Sequence, residues 1–151
     1  MRIRSLCLSG ALALLGCAQP QKPYFFSSPP LARDPIEALA AAMTNNGLMP
    51  VVVDPTTGTV QTRWEDTGLR NGIVKEKPAT ILRRYTVTLA HSPGGNDVTV
   101  RANAQRCVVG SFTLGEFDVQ GTCEPMDRLL QQHMDDLYRL GSRLAQAMQI
   151  P

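Results

Sequence analysis

The chain has 151 residues and is close to electrically balanced, with 15 lysines and arginines against 13 aspartates and glutamates. Because it contains no basic block, it provides little electrostatic affinity for phosphate backbones, which argues against nucleic-acid binding. After the N-terminal segment no long uncharged run appears, so we expect no transmembrane helix.

The N-terminus has the architecture of a signal peptide. Arg2 and Arg4 precede an apolar stretch over residues 6–15, which is far shorter than the ~20 residues that span a bilayer. The stretch leads into "LLGC", ending at Cys17, which resembles the lipobox of bacterial lipoproteins. The resemblance implies that residues 1–16 are removed and that Cys17, acylated with lipid such as palmitate, becomes the first mature residue. The alternatives are an ordinary signal peptide or a weak apolar helix whose cysteine is incidental.

Lipid anchoring determines the expected location. Stable anchoring in a membrane takes at least two hydrophobic signals, and several acyl chains on one cysteine supply them. We therefore expect the membrane to be a partner, to which the protein is attached without spanning it. In lipoproteins of this kind, the absence of aspartate after the cysteine, where this chain has Ala18, favours the outer membrane. We therefore expect a lipid-anchored domain on the periplasmic face of the outer membrane.

Residues 17–33 are predicted to hold the lipidated cysteine and a proline-rich tether. Four prolines in this segment oppose a helix or a continuous sheet ladder. The aromatic run Tyr24, Phe25 and Phe26 interrupts it and makes these residues candidates for partner binding. The rings can also dock on the chain's own domain or at the lipid interface, and we slightly favour docking on the domain.

Residues 34–151 are predicted to form a single domain that starts with a helix. Asp34 caps this helix, Pro35 suits its first position, Glu37 completes a capping box and Gly47 supplies the stop. The apolar stripe of the helix is Ile36, Leu39, Ala40 and Met43.

Two β-hairpins follow the helix. The first joins "LMPVVVD" to "TVQTRWE" through "TTG", and the second joins "TILRRYTVTLA" to "VTVRANAQRCVV" through "HSPGGND". A polar loop up to Lys77 is predicted between them. Alternation turns one side of the last strand toward the core and leaves the other face of the sheet wet. The residues predicted to face the core are Val98, Val100, Ala102 and Ala104.

The chain ends in the longest predicted helix, which begins near Pro125 and covers the sheet. The order helix, four strands, helix predicts the α+β class, as a two-layer sandwich with an antiparallel four-stranded sheet. The apolar stripe of the last helix is Met126, Leu129, Leu130, His133, Leu137, Leu140, Leu144 and Met148.

The first half of the domain carries a second resemblance. The helix that ends in Gly47, followed by "VVVDPTTGTVQTRW", resembles the grip domains of the C component of the β-barrel assembly machinery, an outer-membrane lipoprotein. That family has two such domains, whereas this chain has room for one, so the resemblance implies only an envelope location and a noncatalytic, protein-binding role. The shared pattern after the glycine is Asp54, Gly58, Val60, Thr62 and Trp64.

Neither catalysis nor a cofactor is expected. His91 lies in a turn beside Ser92, and His133 lies on a helix stripe, where a half-buried core or groove histidine is the more common case. Neither histidine has acidic or cysteine neighbours at metal-ligand spacing, and no hydrolase motif is present. Asp135 and Asp136 are about 100° apart on a helix, so they cannot act as paired carboxylates on one face.

Cys107 and Cys123 are predicted to form a disulfide. They are the cysteines that remain when Cys7 leaves with the signal and Cys17 takes lipid, and export delivers the chain to an oxidising compartment. The alternative is two buried free thiols, because alternation turns Cys107 away from the core face of its strand.

Two functional hypotheses follow. In the first, the protein is a noncatalytic structural or adaptor subunit of an envelope protein complex, and it presents its sheet, its hairpin turns or its tether aromatics to an envelope protein partner. In the second, the domain holds a small apolar ligand between the long helix and the sheet. Aromatic residues are only 5% of the chain, so a filled core is expected rather than a roomy cavity.

Overall fold

A long antiparallel hairpin over residues 77–108 lies at the centre of the structure. The computed structural model describes residues 19–20, 22–108 and 122–149. Over these residues the chain is α+β, with two helices packed on one face of a mostly antiparallel sheet. The predicted fold class is confirmed, whereas the predicted number of four strands is wrong, since the main sheet has seven.

The main sheet has the strand order β2-β7-β6-β4-β3, with β5 also paired to β6 and β8 also paired to β7. β1 and β9 form a separate two-stranded pair. The described elements are, in chain order, β1 (Gln19–Pro20), β2 (Tyr24–Ser28), α1 (Pro35–Asn45), β3 (Pro50–Asp54), β4 (Thr59–Thr62), β5 (Glu65–Val74), β6 (Lys77–Ser92), β7 (Gly95–Val108), β8 (Cys123–Met126), β9 (Arg128–Leu129) and α2 (Gln131–Ala147).

The first helix forms as predicted, and a cap at its start and a glycine after its end bound it. The Asp34 carboxylate accepts a hydrogen bond from the Ile36 N–H at 2.8 Å, and Pro35 opens the helix. Gly47 follows the last turn with a φ of 79°, the left-handed conformation that suits glycine. The buried side chains of α1 are Ile36, Ala38, Leu39, Ala42 and Met43.

Both predicted hairpins are also present. In the turn between β3 and β4, Gly58 has a φ of 64°, and a Cβ at this position would lie 2.2 Å from the Leu89 carbonyl oxygen. Only glycine therefore fits at this turn. β6 and β7 are joined by a two-residue turn and remain in register from the Ser92–Gly95 pair to the Ala79–Val108 pair.

The core lies between the two helices and one face of the central hairpin. Val87 of β6 and Val100 of β7 are fully buried there, and Leu39, Leu137 and Leu144 pack against that face from the helices. The prediction for β7 is confirmed, since all four residues expected to face inward are buried: Val98, Val100, Ala102 and Ala104.

Strand β2 differs from the predicted tether. Pro23 and Pro29 lie just outside the strand, so the five residues between them pair with β7 without a proline in the ladder. Tyr24 packs on α2 at Gly141, where an added Cβ would lie 2.3 Å from the tyrosine ring. Glycine inside a helix costs ~1 kcal/mol relative to alanine, and here it makes room for that ring. Part of the predicted tether therefore belongs to the sheet.

Strand β5 takes the place of most of the predicted polar loop before Lys77. It pairs with β6 through two register shifts. Polar residues and glycines occupy most positions on both of its faces, so no apolar–polar alternation marks it in the sequence. Its turn into β6 uses Lys75 and Glu76, whose φ angles of 47° and 62° are both positive. Turns of this kind normally contain Asn or Gly, and without them the sequence carries no hairpin signal.

The last helix starts later than predicted. The residues assigned to its first turns form β8 and β9, and α2 begins at Gln131. Pro125 lies in β8, which pairs with β7 alone among the described strands, and an edge strand tolerates the missing N–H. Cys123 stands opposite Cys107 in this pairing, which holds the segment extended. The C-terminal part of the predicted stripe is buried: His133, Leu137, Leu140, Leu144 and Met148.

The packing of β2 predicts different effects for two neighbouring aromatics. Tyr24→Ser should lower the free energy of unfolding by ~2 kcal/mol or more, because it leaves a cavity over Gly141. Phe25→Ser, the matched control, should cost less than ~1 kcal/mol, because the Phe25 ring is 65% exposed. Urea titration followed by circular dichroism measures both. Equal losses in the two variants would show that β2 does not pack as described.

Candidate functional site

The predicted disulfide between Cys107 and Cys123 is confirmed. The two sulfurs are 2.02 Å apart, and the bridge joins β7 to β8. Cys107 faces away from the main core, as alternation predicts, and packs with Trp64 and Leu82 in a second cluster. With a sequence separation of 16 residues, the closed loop corresponds to ~3 kcal/mol of loop-closure entropy. The predicted lipidation residue, Cys17, lies outside the described residues.

The three aromatic candidates for partner binding divide between the two faces of the sheet. Tyr24 and Phe26 pack against the core, and the Tyr24 ring makes an edge contact with the Tyr138 ring at 5.7 Å. Phe25 faces the opposite side and is exposed. Of the three candidates, Phe25 alone presents most of its ring to solvent, because alternate residues of a strand point to opposite faces.

A run of exposed apolar side chains lies along β3, at one edge of the sheet. Val51, Val52 and Val53 are 55%, 41% and 47% exposed, and the preceding Met49 is 52% exposed. Exposed apolar residues that occur singly are normal, whereas several together make this edge a candidate interaction surface. Sequence reasoning identified the strand but missed the surface, because nothing in the local sequence shows that β3 lies at an edge.

The neighbouring strand β4 directs its hydrogen bonds toward β3 at every second residue. The Arg63 N–H, just after β4, donates to the Met49 carbonyl oxygen at 3.1 Å. The backbone groups of Gln61 and Thr59 therefore point toward β3 as well, because ladder bonds alternate along an antiparallel strand.

This alternation fixes the direction of the β3 backbone. Val52 stands opposite Gln61, and Asp54 stands opposite Thr59, so both turn their N–H and C=O groups toward β4. Val53 lies between them and turns its N–H and C=O away from the sheet. β3 pairs with β4 alone among the described strands. The outward groups are thus a template for one more strand.

The other edge strands in the described part of the sheet are β2, β5 and β8. Prolines lie directly before and after β2, and β5 and β8 carry features that discourage pairing. β5 has charged residues and two register shifts, and β8 contains Glu124 and Pro125. Charges, prolines and bulges of this kind protect natural edge strands. β3 has a register shift between Pro50 and Val52, near its start, and its only charged residue is Asp54 at its end. Val52 and Val53 therefore lie in the regularly paired part of the strand, where neither residue is charged.

The charge of Asp54 is engaged in the turn that follows β3. Its carboxylate accepts hydrogen bonds from the Thr57 hydroxyl at 2.7 Å and from the Thr56 N–H at 2.9 Å. These bonds, with the Thr57 hydroxyl first, lower the pKa of Asp54 below its usual value. The carboxylate therefore stabilises the turn and does not oppose the pairing of another strand with β3.

The two histidines have different surroundings. The His91 Nδ1 lies 2.9 Å from the Asn96 side-chain oxygen at the end of the central hairpin. His133, expected to be half-buried, is fully buried on α2, and neither ring nitrogen has a hydrogen-bond partner within the described part of the chain. Residues 22–108 and 122–149 contain no group of three or more side chains that could hold a metal ion.

An ion pair joins α2 to the sheet close to His133. Arg83 of β6 donates to Asp136 of α2 at 2.6 Å, and its guanidinium lies over the Tyr85 ring, 5.0 Å from the ring centre. Beside this pair is an open recess with a volume of about 230 Å³, which Arg139 also lines. Its charged lining suits an anionic occupant better than the wholly apolar ligand of the second hypothesis.

None of the described helices is both long enough and apolar enough to cross a membrane. The chain matches no protein-family model and no curated protein sequence. Its function is therefore argued from its own residues.

Burial lowers the pKa of His133, the nearby Arg83 cation lowers it further, and Asp136 opposes the shift. An unfolded histidine titrates near pH ~6.5. Between the lowered pKa and that value, the unfolded chain binds more protons than the folded one. The free energy of unfolding therefore falls as the pH decreases through this window.

We predict that His133→Leu removes most of the decrease in the free energy of unfolding between about pH 7 and pH 5. His133 contributes at most ~1.4 kcal/mol per pH unit to that decrease. Urea titrations at several pH values measure this slope. Met134→Leu, which changes the neighbouring buried side chain of α2 without a titratable group, is the control and should keep the slope of the unmodified protein. If His133→Leu kept the same slope, the buried imidazole would not be its cause.

Proposed function

We propose that this protein is an outer-membrane-anchored periplasmic lipoprotein that acts as a noncatalytic structural or adaptor subunit of an envelope protein complex. Acylated Cys17 holds it at the membrane, and the open edge of β3 receives an extended segment of a partner protein. The observation that carries the proposal is the run of exposed valines on a strand whose outer backbone groups face away from the sheet.

Two observations support the envelope location. The "LLGC" sequence that ends at Cys17 resembles a lipobox, and the Cys107–Cys123 disulfide is of the kind that persists in oxidising compartments. The sheet begins at Tyr24, so the residues between Cys17 and β2 reach at most ~25 Å when extended. On this proposal the domain works close to the membrane surface.

The form of β3 supports strand addition as the mode of partner binding. A partner segment laid along β3 would satisfy the outward N–H and C=O of Val53 and cover the exposed valine side chains. Pro50 and Pro55 bound the available edge, which leaves about four residues, or ~13 Å of strand. A contact of this length needs further surface for high affinity. Attachment to a common membrane would hold the subunit beside its partner, so that a short contact is enough to join them.

The alternative, a binding module for a small apolar ligand between helix and sheet, has less support. The space between the helices and the central hairpin is filled by buried apolar side chains, among them Leu39, Val87 and Leu137. The recess at its margin has a charged lining.

The anchor is tested by replacing the acylated residue. Cys17→Ser should move the protein from the outer-membrane fraction to the soluble periplasmic fraction, because no acyl chain can be attached. Cys7→Ser, within the predicted signal, is the matched control and should stay in the membrane fraction. Fractionation followed by immunoblotting gives both results. Complete sedimentation of Cys17→Ser with the outer membrane would overturn the assignment.

The edge is tested by placing a charge on it. Val51→Lys should reduce the yield of the crosslinked partner complex at least fivefold, because a lysine on an edge strand opposes pairing. Thr88→Lys places the same side chain at an exposed position of the central strand β6 and should leave the yield unchanged. Both variants are compared by crosslinking in cells and pull-down, with melting temperatures measured in parallel. Equal yields at unchanged stability would exclude β3 as the docking edge.

A further inference from the structure

A recess of about 230 Å³ lies where α2 meets β6 and the segment after α1. We call it the arginine recess. Its volume is smaller than the ~300–1,000 Å³ of pockets that enclose drug-sized ligands. It therefore suits a group of about the size of one amino-acid residue. The residues that matter to its chemistry are Leu48, Arg83, Tyr85, Arg139, Leu140 and Arg143.

The arginine recess has more positive than negative charge. Arg83, Arg139 and Arg143 line it together with a single carboxylate, that of Asp136. Asp136 is bonded to Arg83 at 2.6 Å, and its second oxygen is 3.6 Å from Arg139. Arg143 forms no ion pair within the described part of the chain. The carboxylate thus pairs with two of the three guanidinium groups, and that of Arg143 has no carboxylate partner among the described residues.

The arrangement on α2 adds to this imbalance. Arg139 and Arg143 are four residues apart, so their side chains stand next to each other on the helix surface. Two like charges at this spacing repel each other and destabilise a helix. A bound anion between them would reverse that repulsion, and guanidinium groups suit carboxylates because they can donate two parallel hydrogen bonds.

The remaining walls of the recess are apolar or neutral. Leu140 of α2 belongs to the main core, Leu48 in the segment after α1 packs against that core, and both line the recess. Burial raises the pKa of Tyr85 to about 12, so its hydroxyl is a neutral hydrogen-bond donor at physiological pH. Positive charge on one side and leucine on the other match a ligand with an acid group and a small apolar group.

We propose that the arginine recess binds a carboxylate that is attached to an apolar group of about one side chain. Arg139 and Arg143 hold the carboxylate, and Leu48 and Leu140 contact the apolar group. This chemistry occurs in the C-terminal residue of a polypeptide and in a free short-chain acid. The proposal does not depend on the β3 edge.

The test compares three probes with the same branched apolar group, using calorimetric titration of the full-length protein purified in detergent. The probes are acetyl-Gly-Leu with a free carboxylate, the same peptide as its C-terminal amide, and 4-methylpentanoate. The peptide acid should bind saturably, and the amide should bind at least tenfold more weakly. Tighter binding of the peptide acid than of 4-methylpentanoate assigns the recess to polypeptide termini, and equal binding assigns it to free acids.

Variants test the residues. Replacing both arginines, as R139Q with R143Q, should weaken the binding of the peptide acid at least tenfold. Arg101→Gln, on the face of the sheet away from the helices, is the control and should bind like the unmodified protein. Equal binding of acid and amide, or no saturable binding of either acid, would overturn the proposal. Unchanged affinity in the double variant would do the same.

Discussion

The backbone ladder between β6 and β7 is the constraint on which the rest of the structure depends. It continues without a register shift from the Ser92–Gly95 pair to the Ala79–Val108 pair. Four other strands pair with one of its two members: β2, β4, β5 and β8. Because side chains alternate across a strand, this register assigns each residue of the hairpin to the helix-covered face or to the opposite face. A slip of one residue would exchange the faces and expose the core.

Different interactions hold the two faces. The helix-covered face is stabilised by apolar packing and by the ion pair between Arg83 and Asp136, which ties β6 to α2. The opposite face has a small cluster around Trp64 and the disulfide, which fastens β8 to β7. Burial of a neutral imidazole at His133 favours the folded state only while the pH stays above its window of protonation. Interactions on both faces of the central hairpin therefore stabilise the domain.

The two surfaces proposed to bind ligands are consequences of this arrangement. β3 is the last strand on its side of the sheet, so its outer backbone groups and its valines stay accessible. The arginine recess arises where α2 crosses the sheet beside the ion pair. Leu48, which lines the recess, is directly followed by Met49 at the start of the exposed run. A partner that pairs with β3 would therefore reach the neighbourhood of the recess.

The sequence by itself determined the features whose signals are local. The Asp34 cap, the turn at Gly58 and the inward face of β7 could be predicted, because a cap, a turn or a two-residue period involves neighbouring residues. The pairing of Cys107 with Cys123 could be predicted by elimination, because the other two cysteines are assigned to the signal and to the lipid anchor. The Cys17 motif is also a local signal, and it remains a prediction. Tertiary structure alone decided that β2, β5 and β8 are strands and that β3 is an edge. It also brought Arg83 and Asp136 together across 53 residues. In each of these cases the strand or side chain that makes the contact is distant in the chain. The local sequence pattern therefore does not show the contact.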